Sequence, residues 1–421
     1  MNLIGYIIIV AIITDFLLHG FADLLNLKTL SNKIPDEFVG IYDENDYKKS
    51  QEYLKTNTKF GWATSFFDLI IILVLWFGKG FLFLDNTARS FNFNPVTTGL
   101  AYMGILILFK SLLSLPFSIY STFVIEEKFG FNKTGWKTFV MDLIKGFIIS
   151  ILIGVPLLAG ILLFFQYAGD YSWLYCWLAV VIFILFVQFI APTYIMPLFN
   201  KFTVIEEGEL KDSIVSYSKK IDFPLKKIFV MDGSKRSSKS NAFFTGFGNN
   251  KRIVLFDTLI KQHSVSELVS ILAHEMGHYK KKHILKNIII SIIQIGIIFF
   301  LLSIFISYQP LFDAFYIKEK SVYAGLIFFG MLYSPIGFFT GILMQYISRK
   351  NENEADRFAV ETNEDAESMI NALKKLSVHN LSNLTPHPFY VFLNYSHPPV
   401  LERIKPLQKK TGFHRGERRV R

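Results

Sequence analysis

The chain has 421 residues, of which 51% are hydrophobic and 16% aromatic. This composition is too apolar for a soluble enzyme and is typical of an integral membrane protein. The formal net charge of +10 needs no nucleic-acid partner, and we expect none, because membrane proteins collect Lys and Arg on their cytoplasmic loops. A single cysteine, Cys176, excludes an internal disulfide, so any bound metal must be held by histidine and carboxylate side chains.

Apolar runs of about 20 residues predict seven membrane-spanning helices and a mainly α-helical, multi-pass fold. In chain order the predicted spans are 3–24, 61–84, 98–122, 143–166, 173–195, 285–308 and 322–347. They suggest four parts: spans one to five with their loops, a less apolar segment, spans six and seven, and a C-terminal segment. The corresponding residues are 1–195, 196–284, 285–347 and 348–421.

The segments between the spans differ in charge. With seven spans, segments 25–60, 123–142, 196–284 and 348–421 share one side of the membrane, and they are rich in Lys and Arg. The connections on the other side contain only Arg89, Lys318 and Lys320. The positive-inside rule therefore predicts a cytoplasmic location for the long segments and the C-terminus, with the N-terminus outside.

Three charged residues, Asp15, Asp68 and Lys110, interrupt the predicted spans. Charged groups are costly in lipid and usually face a protein interior or a watery cavity. We therefore expect the helices to enclose a polar chamber.

The segment 196–284 contains two strand-like runs, 227–231 and 253–256, each next to a turn signal. The residues 241–246 lie between these runs. Together they predict a small β-sheet packed beside the helix that follows.

That helix carries His274-Glu275-Met276-Gly277-His278, a match to H-E-x-x-H. Residues four apart lie on one helix face, so both imidazoles can bind one metal ion. Glu275 can then act as general base toward a water at the ion, as in metalloproteases. Ser264 and Glu267 form a candidate capping box that predicts the start of the helix.

Two histidines leave a catalytic zinc ion one protein ligand short. After the seventh span, Glu352 and Asp356 stand four residues apart. Glu352 is a candidate third ligand, and Asp356 a candidate partner for the far nitrogen of a liganding histidine. Glu354 points to another face and is the weaker candidate. On spacing alone, the ordinary start of a charged helix explains these acidic residues equally well, because acidic residues favour the first turn.

The combination of H-E-x-x-H with a later Glu-x-x-x-Asp resembles the type I CaaX prenyl protease family of integral-membrane zinc proteases. Two further stretches are similar to the family's motifs, and the resemblance covers nearly the whole chain. They are residues 237–246 and the Tyr395-Ser396-His397-Pro398-Pro399 run with Arg403 after it.

The resemblance implies one zinc ion on His274, His278 and Glu352, with Glu275 as the general base. It implies supporting or proton-donating chemistry for Asp356, and a position close to the zinc for His397. It also implies substrate-binding roles at an edge strand and near the C-terminus. These residues are Asn241, Ala242, Phe243 and Arg403.

Three other histidines, His283, His379 and His387, have no counterpart in this resemblance. We interpret them as surface or packing residues, with His387 as a reserve candidate for the site.

The sequence therefore predicts a membrane-embedded zinc endopeptidase with a cytoplasmic catalytic domain. Its substrate would be a peptide or protein, possibly prenylated, cut by CaaX-type C-terminal processing or related membrane-protein proteolysis. The richness in Ile, Lys, Asn and Phe suggests a bacterial chain, which would lie in the inner membrane. One alternative is a heat-shock-type quality-control metalloprotease with fewer spans; a distant one is a metal-binding transporter or receptor.

Overall fold

The computed structural model describes residues 1–245 and 251–410, which are mainly α-helical and contain one small sheet. The helices of the N-terminal half are α1 (Leu3–Lys28), α2 (Glu44–Phe77), α3 (Gly80–Ser90), α4 (Pro95–Tyr120), α5 (Trp136–Tyr167), α6 (Ser172–Ile190), α7 (Met196–Phe199) and α8 (Glu209–Lys220). Those of the C-terminal half are α9 (Asp257–Gln262), α10 (Val265–Lys280), α11 (His283–Phe305), α12 (Gln309–Asp313), α13 (Val322–Asn363), α14 (Ala366–His379), α15 (Pro388–Asn394) and α16 (Val400–Lys410).

Seven helical segments of the described residues are long and apolar enough to cross a membrane, which confirms the predicted number of spans. Five of them are α1, α2, α5, α11 and α13. The other two are Pro95–Glu126, which extends α4 through a π-helical turn, and Gly169–Phe199, which joins a 3-10 turn, α6, a π-helical turn and α7.

The second span ends earlier than predicted. Helix α2 stops at Phe77, and Lys79 adopts a left-handed conformation with φ of 57° before α3 begins. The run Phe77-Gly78-Lys79-Gly80 breaks the helix because glycine disfavours helix interiors. Hydropathy misses the break, since the apolar residues continue beyond it. Helix α3 then packs inward through Asp85, which accepts a hydrogen bond from Tyr323 Oη at 2.5 Å.

The connecting segments divide between the two ends of the bundle as the charge pattern predicts. At one end, the N-terminal Asn2 lies beside the connection 309–321, where its Nδ2 donates to Pro310 O at 2.6 Å. At the other end, the long segments pack together. Phe38 and Tyr47, from the first of these segments, lie in one buried cluster with Ile370 and Ile404.

Charged residues inside the spans are paired and accessible. Lys110 on α4 donates a hydrogen bond to Asp68 on α2, and each side chain is about half exposed. On α1, His19 Nε2 lies 3.7 Å from Asp15 Oδ1. Charges within membrane spans usually face a protein interior or a watery cavity, so these pairs are consistent with the expected polar chamber, which stays a prediction.

Within the described part of the chain, the sheet contains four strands in the order β1-β2-β4-β3. The strands are β1 (Phe202–Val204), β2 (Leu225–Met231), β3 (Ala242–Thr245) and β4 (Lys251–Phe256). Strands β2 and β4 are parallel, with Ile228 opposite Ile253, whereas β1 and β3 are antiparallel additions. The predicted runs at 227–231 and 253–256 are thus strands. Strand β1 escaped prediction because its three residues are too few to show an alternating pattern.

One face of the sheet covers helix α10. Ile253 and Leu255 of β4 form a buried cluster with Leu268 and Leu272 of α10. Strand β3 lies at the edge of the sheet and pairs, among the described residues, only with β4.

Helix α13 links the membrane to the site. Its 42 residues span about 63 Å at 1.5 Å per residue, which is roughly twice the thickness of the hydrocarbon core. The predicted division at 347/348 falls inside this continuous helix. Of the predicted segment 348–421, residues 411–421 lie outside the described part of the chain.

Candidate metal centre

Helix α10 starts where the sequence predicts it. Ser264 Oγ accepts a hydrogen bond from Glu267 N, and Ser264 N donates to Glu267 Oε2 at 2.9 Å, so the capping box is complete. Glu267 also pairs with Lys375 of α14 at 2.8 Å. This start sets the rotation of α10, with Leu268 and Leu272 in the core and His274 and His278 toward α13.

Three side chains from two helices converge on one point. His274 Nε2 lies 3.2 Å from His278 Nε2 and 3.3 Å from Glu352 Oε2. His278 Nε2 lies 3.3 Å from Glu352 Oε1. The three residues are a group that could hold a metal ion.

These separations suit a metal ion. Two ligand atoms about 2.0–2.1 Å from a tetrahedral zinc ion lie about 3.3 Å apart. Glu352 is only 4% exposed, and its Oε2 has no hydrogen-bond partner in the described structure. A buried carboxylate oxygen without a donor is costly, and a cation between it and the two imidazoles would remove that cost.

The two helices that carry these ligands approach each other closely at Gly277. A Cβ atom at this position would lie 3.2 Å from Ala355 O and 3.3 Å from Ala355 Cα. Gly277 occupies the second variable position of the H-E-x-x-H motif, directly before His278. Because it has no side chain, α10 and α13 can approach each other at this point.

Asp356 lies behind His274. Its Oδ1 is 2.7 Å from His274 Nδ1, and both of its oxygens accept hydrogen bonds from Arg403, at 2.6 Å and 2.8 Å. Burial disfavours the charged imidazole, but the neighbouring Asp356 and Glu352 carboxylates outweigh this and raise the pKa of His274 to about 9. The raised pKa reflects the two carboxylates beside this imidazole, and the same carboxylates would attract a metal cation.

Glu275 lines the cavity beside the three candidate ligands. Burial raises the pKa of its carboxyl group. A carboxylate with a raised pKa is a better proton acceptor and suits the role of general base.

His397 reaches the site from the segment before α16. Its Nε2 lies 3.4 Å from Glu352 Oε1, and its side chain is 62% exposed. Ser396 Oγ lies 3.0 Å from the other ring nitrogen, His397 Nδ1. The imidazole can therefore contact a substrate at the metal centre, whereas Arg403 is engaged with Asp356.

The predicted substrate residues separate into two groups. Asn241 and Ala242 line the same cavity of about 530 Å³ as His274 and Glu275. Phe243, the next residue of the strand, packs instead near Phe256, because successive side chains of a strand point to opposite faces.

Helix α14 supplies a wall of this cavity that the sequence analysis did not assign to the site. Met369, Leu373 and Leu376 line it from one face of the helix. Their spacing of four and three residues was visible as helical periodicity. Helical periodicity predicts only that one face of α14 is apolar. It does not show whether that face packs in the core or lines a binding cavity.

The three histidines left aside by the sequence analysis lie in different surroundings. His387 caps α15, where its Nδ1 accepts a hydrogen bond from Phe389 N at 3.1 Å. His379 is exposed at the end of α14. His283 is only 1% exposed and contacts His278, so it is not a surface residue.

Two family comparisons cover the chain. Residues 23–201 match the family described as CAAX prenyl protease N-terminal, five membrane helices, and residues 205–411 match peptidase family M48. The chain belongs to the M48 peptidase family. It is therefore a metalloendopeptidase and a multi-pass integral membrane protein, which excludes the predicted alternative of a transporter or receptor.

Curated relatives support the assignment of this M48 peptidase along its length. The CAAX prenyl protease 1 homolog of Oryza sativa subsp. japonica is 37% identical, covering 89% of this chain and 90% of the relative. The homolog of Homo sapiens is 35% identical over 89% and 88% of the two chains. CAAX prenyl protease 1 of Saccharomyces cerevisiae is 36% identical over 90% and 89%.

A solved structure agrees with the fold. The crystal structure of Ste24p from S. mikatae superposes with a TM-score of 0.91 at 33% identity, covering 97% of this chain and 99% of that one. The membrane helices of this M48 peptidase are thus arranged as in this relative. The same holds for its peptidase body, by which we mean the described residues of segments 196–284 and 348–421.

A test separates two roles for Arg403. If Arg403 acts by holding Asp356 against His274, Arg403→Met should lower metal affinity about 10–100-fold, as is typical for partners of liganding histidines. If it binds substrate instead, KM should rise while metal affinity stays unchanged. Metal affinity is measured by competition with a chelator, and KM on a peptide substrate. Arg357→Met is the control, because Arg357 is exposed and pairs with Glu361 on the same helix.

Proposed function

We propose that this M48 peptidase is a zinc-dependent endopeptidase that carries out CaaX-type processing of C-terminal peptides, prenylated or not. The observation that supports it most is the convergence of His274, His278 and Glu352, with Glu275 on the same cavity wall. The relatives that carry the name CAAX prenyl protease 1 match nearly the full chain. A related quality-control protease with fewer spans fits less well, since the described residues contain seven candidate spans.

The chemistry divides between the metal and the protein. His274, His278 and Glu352 would hold a zinc ion, which supplies Lewis-acid polarisation of the scissile carbonyl and a lowered pKa for water. Glu275 accepts the proton of the attacking water and passes it to the leaving amine. His397, with its Nε2 beside Glu352, donates a hydrogen bond to the developing oxyanion.

Asp356 acts in this proposal as a positioning residue. Both of its oxygens are occupied by His274 and Arg403, and the side chain is 3% exposed. It is therefore poorly placed to donate a proton to a substrate. A carboxylate bonded to Nδ1 fixes the imidazole orientation and leaves Nε2 free for the metal.

The peptide substrate would bind along strand β3. The outer edge of this strand, which is unpaired among the described residues, can add an extended peptide by main-chain hydrogen bonds. Asn241 and Ala242 stand where the edge meets the cavity, so a peptide on β3 would lead to Glu275. The apolar wall of α14 would then contact substrate side chains.

We propose that the peptidase body lies in the cytoplasm and that the N-terminus lies outside, in the inner membrane if the cell is bacterial. The basic segments support this orientation, because they share one end of the bundle. The contact of Asn2 with Pro310 at the other end agrees with it. No nucleic-acid partner is part of the proposal.

Glu275→Gln tests the mechanism. The amide cannot accept the proton of the attacking water, so kcat should fall by about 10²–10⁴-fold or more. Zinc content should stay at one per chain, because the three proposed ligands are untouched. Peptide cleavage is followed by mass spectrometry and zinc by elemental analysis. Glu206→Gln, at an exposed position, controls for loss of a carboxylate. Cleavage by Glu275→Gln at the wild-type rate would reject the mechanism.

The substrate proposal is tested with two peptides that share a CaaX C-terminus and differ only in a prenyl group on the cysteine. We expect cleavage on the carboxyl side of the cysteine in both, with a higher kcat/KM for the prenylated peptide because its apolar group partitions into the membrane or chamber. Cleavage of neither peptide, by an enzyme that still cuts unfolded membrane proteins, would favour quality control instead.

The orientation is tested by cysteine labelling in intact cells. Cys176→Ser first removes the only native cysteine. An Asp170→Cys variant, in an exposed outer connection, should react with a membrane-impermeant maleimide, whereas Glu206→Cys should react only after lysis. The reverse pattern would show that the peptidase body faces outward.

A further inference from the structure

The far nitrogens of the two candidate metal histidines have different partners. His274 Nδ1 contacts the carboxylate of Asp356 at 2.7 Å. His278 Nδ1 lies 3.1 Å from His283 Nδ1, and His283 Nε2 lies 3.1 Å from Glu354 Oε2. The second histidine is therefore supported by an imidazole and a carboxylate in series, rather than by a carboxylate alone.

Three elements build this series. His278 is near the end of α10, His283 is the first residue of α11, and Glu354 follows Glu352 by two residues on α13. On a continuous helix, residues five apart point about 140° away from each other. The left-handed conformation of Lys282, with φ of 59°, separates α10 from α11 and folds His283 back against His278.

The protons of the series have one consistent arrangement. A metal on His278 Nε2 requires a lone pair there, so the neutral ring carries its proton on Nδ1. That N–H can donate only if His283 Nδ1 is the acceptor, which places the proton of a neutral His283 on Nε2. His283 Nε2–H then donates to the Glu354 carboxylate. In the opposite arrangement, His278 would have its proton on Nε2 and could not bind the metal.

We propose that His283 and Glu354 are positioning residues that hold His278 in the metal-binding tautomer and orientation. His283 is only 1% exposed, so packing holds its ring beside His278. Glu354 is 38% exposed and places the charge at the outer end of the series. The proposal rests on the metal site proposed above, and it extends the site from the ligands to residues of α11 and α13 that do not contact the metal.

Substitutions of His283 test the proposal because they separate hydrogen bonding from packing. His283→Leu removes the acceptor, whereas His283→Asn can keep an acceptor oxygen near the position of Nδ1. We expect zinc affinity, measured by chelator competition, to fall about 10–100-fold in His283→Leu and to recover largely in His283→Asn. In the cobalt-substituted protein, the visible absorption bands should shift in His283→Leu and return toward wild type in His283→Asn.

Glu354→Gln provides a second test if His283→Leu fails to fold. The amide oxygen still accepts from His283 Nε2–H but without charge, so zinc affinity should fall several-fold with a smaller spectral shift. His379→Leu and Glu361→Gln are the controls, because His379 is exposed and Glu361 is a half-exposed carboxylate on the same helix. Both should bind zinc like wild type.

Two results would overturn the proposal. In the first, His283→Leu and Glu354→Gln bind zinc and give cobalt spectra like wild type. In the second, His283→Asn is weakened as much as His283→Leu, which would show a packing role only. The wild-type protein distinguishes these failures from failure of the proposed function, since it must itself bind one zinc ion and cleave peptide.

Discussion

The structure depends on holding two imidazoles and a carboxylate within about 3.3 Å of one another in a buried place. Glu352 is buried, and one of its oxygens has no donor among the residues that the structure describes, so the arrangement is costly unless a cation lies among the three groups. The three candidate ligands come from α10 and α13, which are separated in the chain by a membrane hairpin. Metal binding would therefore be coupled to the packing of these helices, because neither helix can supply the set alone.

Several features outside the ligands serve this convergence. The capping box fixes the start and rotation of α10, and Gly277 allows α13 to approach it. Helix α13 continues from the membrane into the peptidase body without a break, so the position of Glu352 is fixed by the membrane bundle. Asp356 with Arg403 supports one histidine. The site therefore lies between the membrane helices and the peptidase body, and it is not contained in a separate soluble domain.

Much of this could be predicted from the sequence, for identifiable reasons. Span number follows from the length of apolar runs, and the strands β2 and β4 follow from apolar runs bounded by turns. The H-E-x-x-H spacing places two candidate ligands on one helix face without any tertiary information. The break at Gly78 and Lys79 could not be seen from hydropathy, because apolar residues resume after it and continue to Leu84.

Contacts across elements were the least accessible to prediction. His283 was interpreted as a surface or packing residue because it has no counterpart in the family resemblance, and its spacing of five from His278 gives no sign of a contact on a continuous helix. Its contact requires the left-handed turn at Lys282, and lysine at that position gives no sequence signal for such a turn. Arg403 was interpreted as a substrate residue, but its guanidinium is held by Asp356, a contact between helices that no sequence periodicity encodes.

The central claim is that a zinc ion joins α10 to α13. Anomalous diffraction from crystals of the purified protein, collected on both sides of the zinc absorption edge, tests it most directly. The account predicts one peak about 2.0–2.2 Å from the Nε2 atoms of His274 and His278 and from a carboxylate oxygen of Glu352. A peak on another group of residues, or none in a protein that cleaves peptide, would contradict it.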